Sequence, residues 1–138
     1  MAIHMIKLCV GAETIGDLEA WQNRVLQTYP KPVHHTRMSP KRRDELLAGG
    51  SIYWVIKKVI RVRQRIVDIR TLDDGAGRPV CELVFDPELV PVTPRRKRPF
   101  QGWRYLKVAD APPDLTPGRK ASDVPLDLDE ALKAAMVW

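Results

Sequence analysis

The feature that most restricts the fold is a run in the middle of the chain, SIYWVIKKVIRVRQRIVDIR from Ser51 to Arg70, in which an apolar stretch passes into a ladder of cations. Between Val59 and Val67, the apolar residues Ile60, Val62 and Ile66 share one parity, while Arg61, Arg63 and Arg65 share the other. Alternate side chains of a strand leave opposite faces, so three guanidinium groups are expected on one exposed face, about 6.6 Å apart. Such a face suits anions without specifying which. The run also exceeds the usual strand length of about 5 to 6 residues. One bend is therefore expected, at Lys57-Lys58 or at Gln64-Arg65, where the apolar phase changes and a β-bulge would restore the inward face.

At 138 residues the chain fits a single domain, 1–138, long enough to bury a core without disulfide staples. Hydrophobic residues at 44% and charged residues at 29% exclude wholesale disorder. Twelve prolines, most of them after Asp86, cut the last third into short extended pieces, with a Pro-rich linker expected at about 109–125. The formal charge of +6 is unevenly placed. Residues 31–70 carry eleven Lys/Arg against three Asp/Glu, residues 95–107 carry six Lys/Arg and no acid, and the remainder is net acidic. Two concentrated basic segments fit a patch directed at nucleic acid, a phosphorylated ligand or another polyanion. No apolar run approaches the length of a membrane span, and MAIHMIKLCVG is too short and too lightly charged for a signal peptide, so a cytoplasmic protein is expected. Cys9 and Cys81, each inside an apolar segment and without a CxxC pair, read as buried reduced thiols.

Ile3 to Val10 reads as a first strand closed by Gly11. A helix follows, with Thr14 and Asp17 in capping register and Leu18, Trp21 and Val25 forming one apolar stripe. Val33 to Met38 is expected to be a short strand, and Ser39-Pro40 to start a helix over Lys41 to Ala48 that Gly49-Gly50 ends. Asp73 to Gly77 is a hairpin loop joining Ile66–Leu72 to Pro79–Phe85. Leu89–Val92 and Gly102–Val108 supply further strands. A C-terminal helix at about 127–137 is expected from Asp127 and Glu130 in capping register, with Leu128, Ala131, Leu132 and Ala135 on one face. The pattern argues α+β: a bent, mostly antiparallel sheet or partial β-barrel flanked by two or three helices.

The usual enzyme signatures, GxSxG, GxxxxGK[ST], HExxH and a strand-borne GxGxxG, are absent, and no catalytic residue is assigned. His4 and His34 would meet if the first two strands lay side by side. His34 and His35, on opposite faces of one strand, cannot share a metal, so neither metal nor cofactor is expected. Glu45, Asp68, Glu82 and Asp86 are available carboxylates, with Asp68 read as an ion-pair partner of the Arg-rich strand. Arg95, Arg96, Lys97 and Arg98 run directly into Phe100, Trp103, Arg104 and Tyr105. Cations interleaved with aromatics are what a single-stranded nucleic acid site uses, phosphates in a positive groove and bases on π-faces. A solvated basic loop and core aromatics remain the alternative. At Tyr53-Trp54 only one neighbour is expected to be core, which leaves Tyr53 outward beside the ladder as a stacking residue.

The blocks RMSPKRRDELLAGGSIYWVIKKVIRVRQRIVDI, FDPELVPV, RPFQGWRYLK and DAPPDL resemble an uncharacterised bacterial family, domain of unknown function 1489, from Ile3 to about Leu115. That resemblance implies no activity and no catalytic residue. GGSIYWVIK further resembles the glycine-led strand of PUA-like and ASCH-like small barrels, which implies a bent sheet used against RNA or modified bases. The GxKxxExR pattern of ASCH domains is not present, and no ASCH-type ligand chemistry follows. The expected function is a small non-enzymatic, RNA-directed nucleic-acid-binding domain. In it Arg61, Arg63, Arg65, Arg95, Arg96, Lys97, Arg98 and Arg104 contact phosphates, and Tyr53 or Trp103 stacks on bases. The alternatives are an enzyme for a phosphorylated or nucleotide substrate, with a carboxylate or His4 as base, and a module for an acidic protein partner. A flat basic groove favours binding; a deep pocket with Arg and a carboxylate of raised pKa favours the enzyme.

Overall fold

The Ser51–Arg70 run is two strands, not one bent strand. In the computed structural model, which describes residues 2–115, Lys57 and Lys58 both adopt positive φ, 52° and 65°, and the chain reverses there between β3 (Ser51–Ile56) and β4 (Val59–Asp73). Two consecutive left-handed residues are the mark of a two-residue type I′ hairpin turn, whose twist matches that of the flanking strands. Asn-Gly or Asp-Gly normally announces such a turn; here two lysines occupy it, which is why the sequence reads as continuous strand.

Before this hairpin come β1 (His4–Leu8), α1 (Ile15–Val25), β2 (Val33–Thr36) and α2 (Arg43–Leu47). After it come β5 (Pro79–Phe85), β6 (Val90–Arg96), β7 (Trp103–Leu106) and a 3-10 turn at Val108–Asp110. The fold is α+β: one open seven-stranded sheet of order β2-β5-β4-β3-β1-β7, with β6 paired to β4 off this path. Among the described residues only β1 and β3 run parallel, joined through α1, β2 and α2; the other pairs are antiparallel. The expected hairpin is present, with Ile66 opposite Phe85 and Asp73 opposite Pro79. The first half of β4 lies between β3 and β6, while its second half pairs with β5, so one long strand is flanked by two shorter ones joined through 86–89. Register shifts at Ile60/Val62 and Ile66/Asp68 bend β4, the second close to the bulge expected at Gln64-Arg65.

Both faces of the sheet are covered. On one, α1 and α2 bring Ile15, Leu18 and Leu46 onto Met5, Ile52, Trp54, Val62, Ile66, Leu83 and Phe85. On the other, Tyr53, Val55, Ile60, Val92, Phe100 and Leu106 form a second, smaller core. The α1 start matches its sequence signature: Asp17 N–H donates to Thr14 Oγ1 at 3.1 Å, and Asp17 Oδ2 accepts the Thr14 N–H. Helix α2 is shorter than expected, because no side chain caps its N-terminus and Ser39-Pro40 lies outside it. Gly50 is required by close approach: a Cβ there would sit 2.5 Å from the Leu46 carbonyl oxygen and overlap that of Ile3. Among the described residues no helix is long and apolar enough to cross a membrane. The expected C-terminal helix, and the linker beyond residue 115, lie outside the described residues.

Candidate nucleic-acid interface

The cation ladder does not form one exposed face. Arg61 falls at the register shift against Ile60/Val62 and is buried at 7% exposure, Arg63 is half-buried, and Arg65 alone of the three is exposed. Arg63 already holds an anion: its Nε donates to Asp114 Oδ1 at 2.7 Å and its second terminal nitrogen to Oδ2 at 2.8 Å. A third N–H reaches Ser51 Oγ at 3.2 Å. Asp114 arrives on an extended segment that docks against β6, where Thr93 N–H donates to Pro113 O and Leu115 N–H to Pro91 O. The pairing holds the Asp114 carboxyl below its usual pKa and the Arg63 guanidinium above its own, chiefly through the hydrogen bonds between them.

The stacking candidates are core. Tyr53 and Trp103 are 4% and 5% exposed, and Trp54 is buried as well, because each face of the sheet has its own cover and neighbouring strand positions can both be inside. Trp103 donates its indole N–H to Met38 O at 2.8 Å and stands edge-on to Tyr105. Burial raises the Tyr53 pKa. Phe100 is also buried and lies under the Arg104 guanidinium, 5.1 Å from ring centre to carbon.

His4 and His34 do not meet, since β1 sits between β3 and β7 while β2 pairs with β5 toward the opposite edge of the described sheet. His4 Nδ1 accepts the Ser51 N–H at 3.0 Å, which removes it from service as a base, and burial lowers its pKa. The carboxylates are largely engaged: Asp68 pairs with Arg70 at 2.9 Å, as expected, and also approaches Arg43; buried Glu82 bonds His35 at 2.9 Å. Glu45 pairs with Arg42, and Asp86 Oδ1 accepts the Glu88 N–H. No cluster of three or more His, Cys, Asp or Glu residues suited to a metal occurs among the described residues.

The cations that do converge lie at the tip of the β3–β4 hairpin. Lys97 N–H donates to Lys58 O at 2.8 Å, and β6 pairs Arg96 with Val59 and Arg95 with Ile60. Lys57, Lys58, Arg96, Lys97 and Arg98 therefore share one end of the sheet, four of them exposed and Lys97 partly so. Arg95 is turned to the Asp110 carbonyl oxygen. Glu13, 4.0 Å from Lys57, is an acid at this end. Lys57-Lys58 is one of the two expected bend positions but not among the expected contact residues, because a bend within one strand does not set two lysines at a hairpin tip. The lysine pair between two apolar runs was the available signal.

Beside the tip opens a cleft of about 620 Å³, between α1, the loop after β1, and the sheet. Trp21, His34 and Trp54 line it, with His34 edge-on to both indoles at 6.1 and 6.0 Å. Lys7 faces the same side as Trp54, its register partner, and burial lowers its pKa. Burial, with Lys7 nearby, takes His34 down to about 4, and burial pushes the Cys9 thiol up to about 11. The cleft lies at the carboxyl end of the parallel β1/β3 pair, the side on which open parallel sheets place ligands.

A family model described as Protein of unknown function (DUF1489) matches residues 5–138. No curated protein and no solved structure matches the chain.

Proposed function

The chain belongs to the DUF1489 family, and from that premise, which brings no activity with it, we propose that it is a nucleic-acid-binding domain, directed at single-stranded RNA, that grips phosphates at the tip of the β3–β4 hairpin. The observation that carries the reading is the Lys97–Lys58 backbone bond of 2.8 Å, which fixes two basic segments far apart in sequence into one site. Cations held on paired strands present a preorganised field, and each phosphate they neutralise releases condensed counterions. Tyr53 and Trp103, both buried, offer no stacking surface to a strand held at the tip, so affinity there comes from the backbone of the nucleic acid and tolerates sequence. Arg65 on β4 and Arg104 on β7 are exposed too, but β3 and β1 separate their strands and Arg65 lies opposite Ser51, away from the tip, and Arg63 is spent on Asp114.

The test is the salt dependence of binding. Five phosphate contacts give a slope of log affinity against log salt of about −3.5 for a single strand. Lys58→Ala and Lys97→Ala should each reduce it by about 0.7, and Arg63→Ala should leave it unchanged. Undetectable binding to RNA and single-stranded DNA at low salt rejects the proposal.

A further inference from the structure

We infer that the cleft between α1 and β1 is a second binding site, which takes a small planar molecule carrying one phosphate or carboxylate, of the size of a nucleoside monophosphate. The inference is independent of the hairpin-tip reading. It rests on the unlike halves of the cleft. One half is uncharged and aromatic: Trp21 on α1, His34 on β2 and Trp54 on β3. The other contains Lys7, a partly buried ammonium that no carboxylate pairs with among the described residues.

The acids at the mouth do not serve Lys7. Asp17 Oδ2 accepts the backbone N–H groups of Glu13 and Thr14, and Glu13 is exposed toward Lys57. Arg24 adds a second cation at the rim. A half-buried ammonium loses solvation without regaining it from a partner, and an anionic ligand group supplies that partner. The volume of about 620 Å³ matches a ligand of this class, for which sites span about 300 to 1,000 Å³. His34, neutral between two indoles, adds a flat polar edge and no competing charge.

Calorimetric titration with AMP, adenosine and inorganic phosphate tests the proposal on the intact chain. AMP should bind at least about tenfold tighter than adenosine or phosphate, since it alone meets both halves, a difference of about 1.4 kcal/mol. Lys7→Met, which keeps the apolar stem, should reduce AMP to the level of adenosine and leave adenosine unchanged. Trp21→Phe, chosen to preserve packing on α1, should weaken both. Lys97→Ala should leave AMP binding intact, which separates this site from the hairpin tip. The phosphate is either free or borne by a strand end: loss of discrimination by Lys7→Met between 5′-phosphorylated and unphosphorylated oligouridylate identifies the strand end, and equal binding of the two by the wild type identifies the free nucleotide. Equal affinity for AMP and adenosine, or an AMP affinity that Lys7→Met does not change, overturns the inference.

Discussion

Arg63 and Asp114 meet side-on in a two-pronged ion pair, with both carboxylate oxygens within 2.8 Å of guanidinium nitrogens, and so the anion for the central rung of the cation ladder is built into the chain. The pair closes the second core, because Asp114 lies on the segment that docks against β6, beside the cluster of Val92 and Phe100.

Removing either partner should destabilise the fold modestly. Both side chains are partly exposed, so solvent screening limits the loss from Asp114→Asn to about 1 kcal/mol. The pH dependence has a definite sign. The folded pKa of Asp114 is depressed, so its contribution is fully present above the ordinary carboxylate value of 3.8 and disappears as pH falls through the lower folded value. Urea denaturation of wild type and Asp114→Asn should converge as the pH is lowered below 3.8.

At the hairpin tip, stability and charge should separate. Lys57→Asn with Lys58→Gly replaces two strained left-handed lysines with the pair that type I′ turns favour, a gain of about 1 kcal/mol or more. The same double variant removes two cations and should lower the salt slope of RNA binding by about 1.4. A higher melting temperature together with weaker, less salt-sensitive binding is the expected outcome; a lower melting temperature would contradict the turn assignment.

Gln64 uses all of its amide inside the core. It exchanges bonds of 2.8 and 2.7 Å with Gln22, donates to Asp86 O at 2.9 Å and accepts the Trp54 indole N–H at 3.2 Å. Gln64→Leu strands several buried polar groups at once and should cost about 3 kcal/mol or more. Gln22→Leu in the same background should recover part of the loss, since it removes the amide left without its partner. Chemical denaturation of the two single variants and the double variant measures the coupling.

His34 makes the fold sensitive to mild acid. Its folded pKa is about 4 against 6.5 unfolded, so the unfolded chain binds the proton more tightly and stability falls as pH drops from 6.5 toward 4. The slope from this group is at most about 1.4 kcal/mol per pH unit. His34→Gln should flatten the stability profile in that window, and an unchanged profile would place the acid sensitivity elsewhere.

The sequence by itself determined the elements whose signals are local. Thr14 with Asp17 announced α1, and the Asp73–Gly77 loop announced the β4–β5 hairpin, because capping and glycine-rich turns are decided by residues a few positions apart. The two basic segments were legible as composition, and their meeting was not, since Lys58 and Lys97 are joined by a sheet pairing that no local pattern encodes. Tertiary structure alone decided which face was inside. Strand alternation predicts two faces and cannot say that both will be covered: Tyr53, expected outward, is buried in the second core, and Trp103, a stacking candidate, is buried in the first. Arg61, Arg63 and Arg65 share a parity in sequence, yet a register shift buries the first, a carboxylate 51 residues away holds the second, and only the third faces water. Lys7 reads as an ordinary strand lysine until α1 and the loop after β1 close over it, because a cleft is a property of packed elements and not of any one of them.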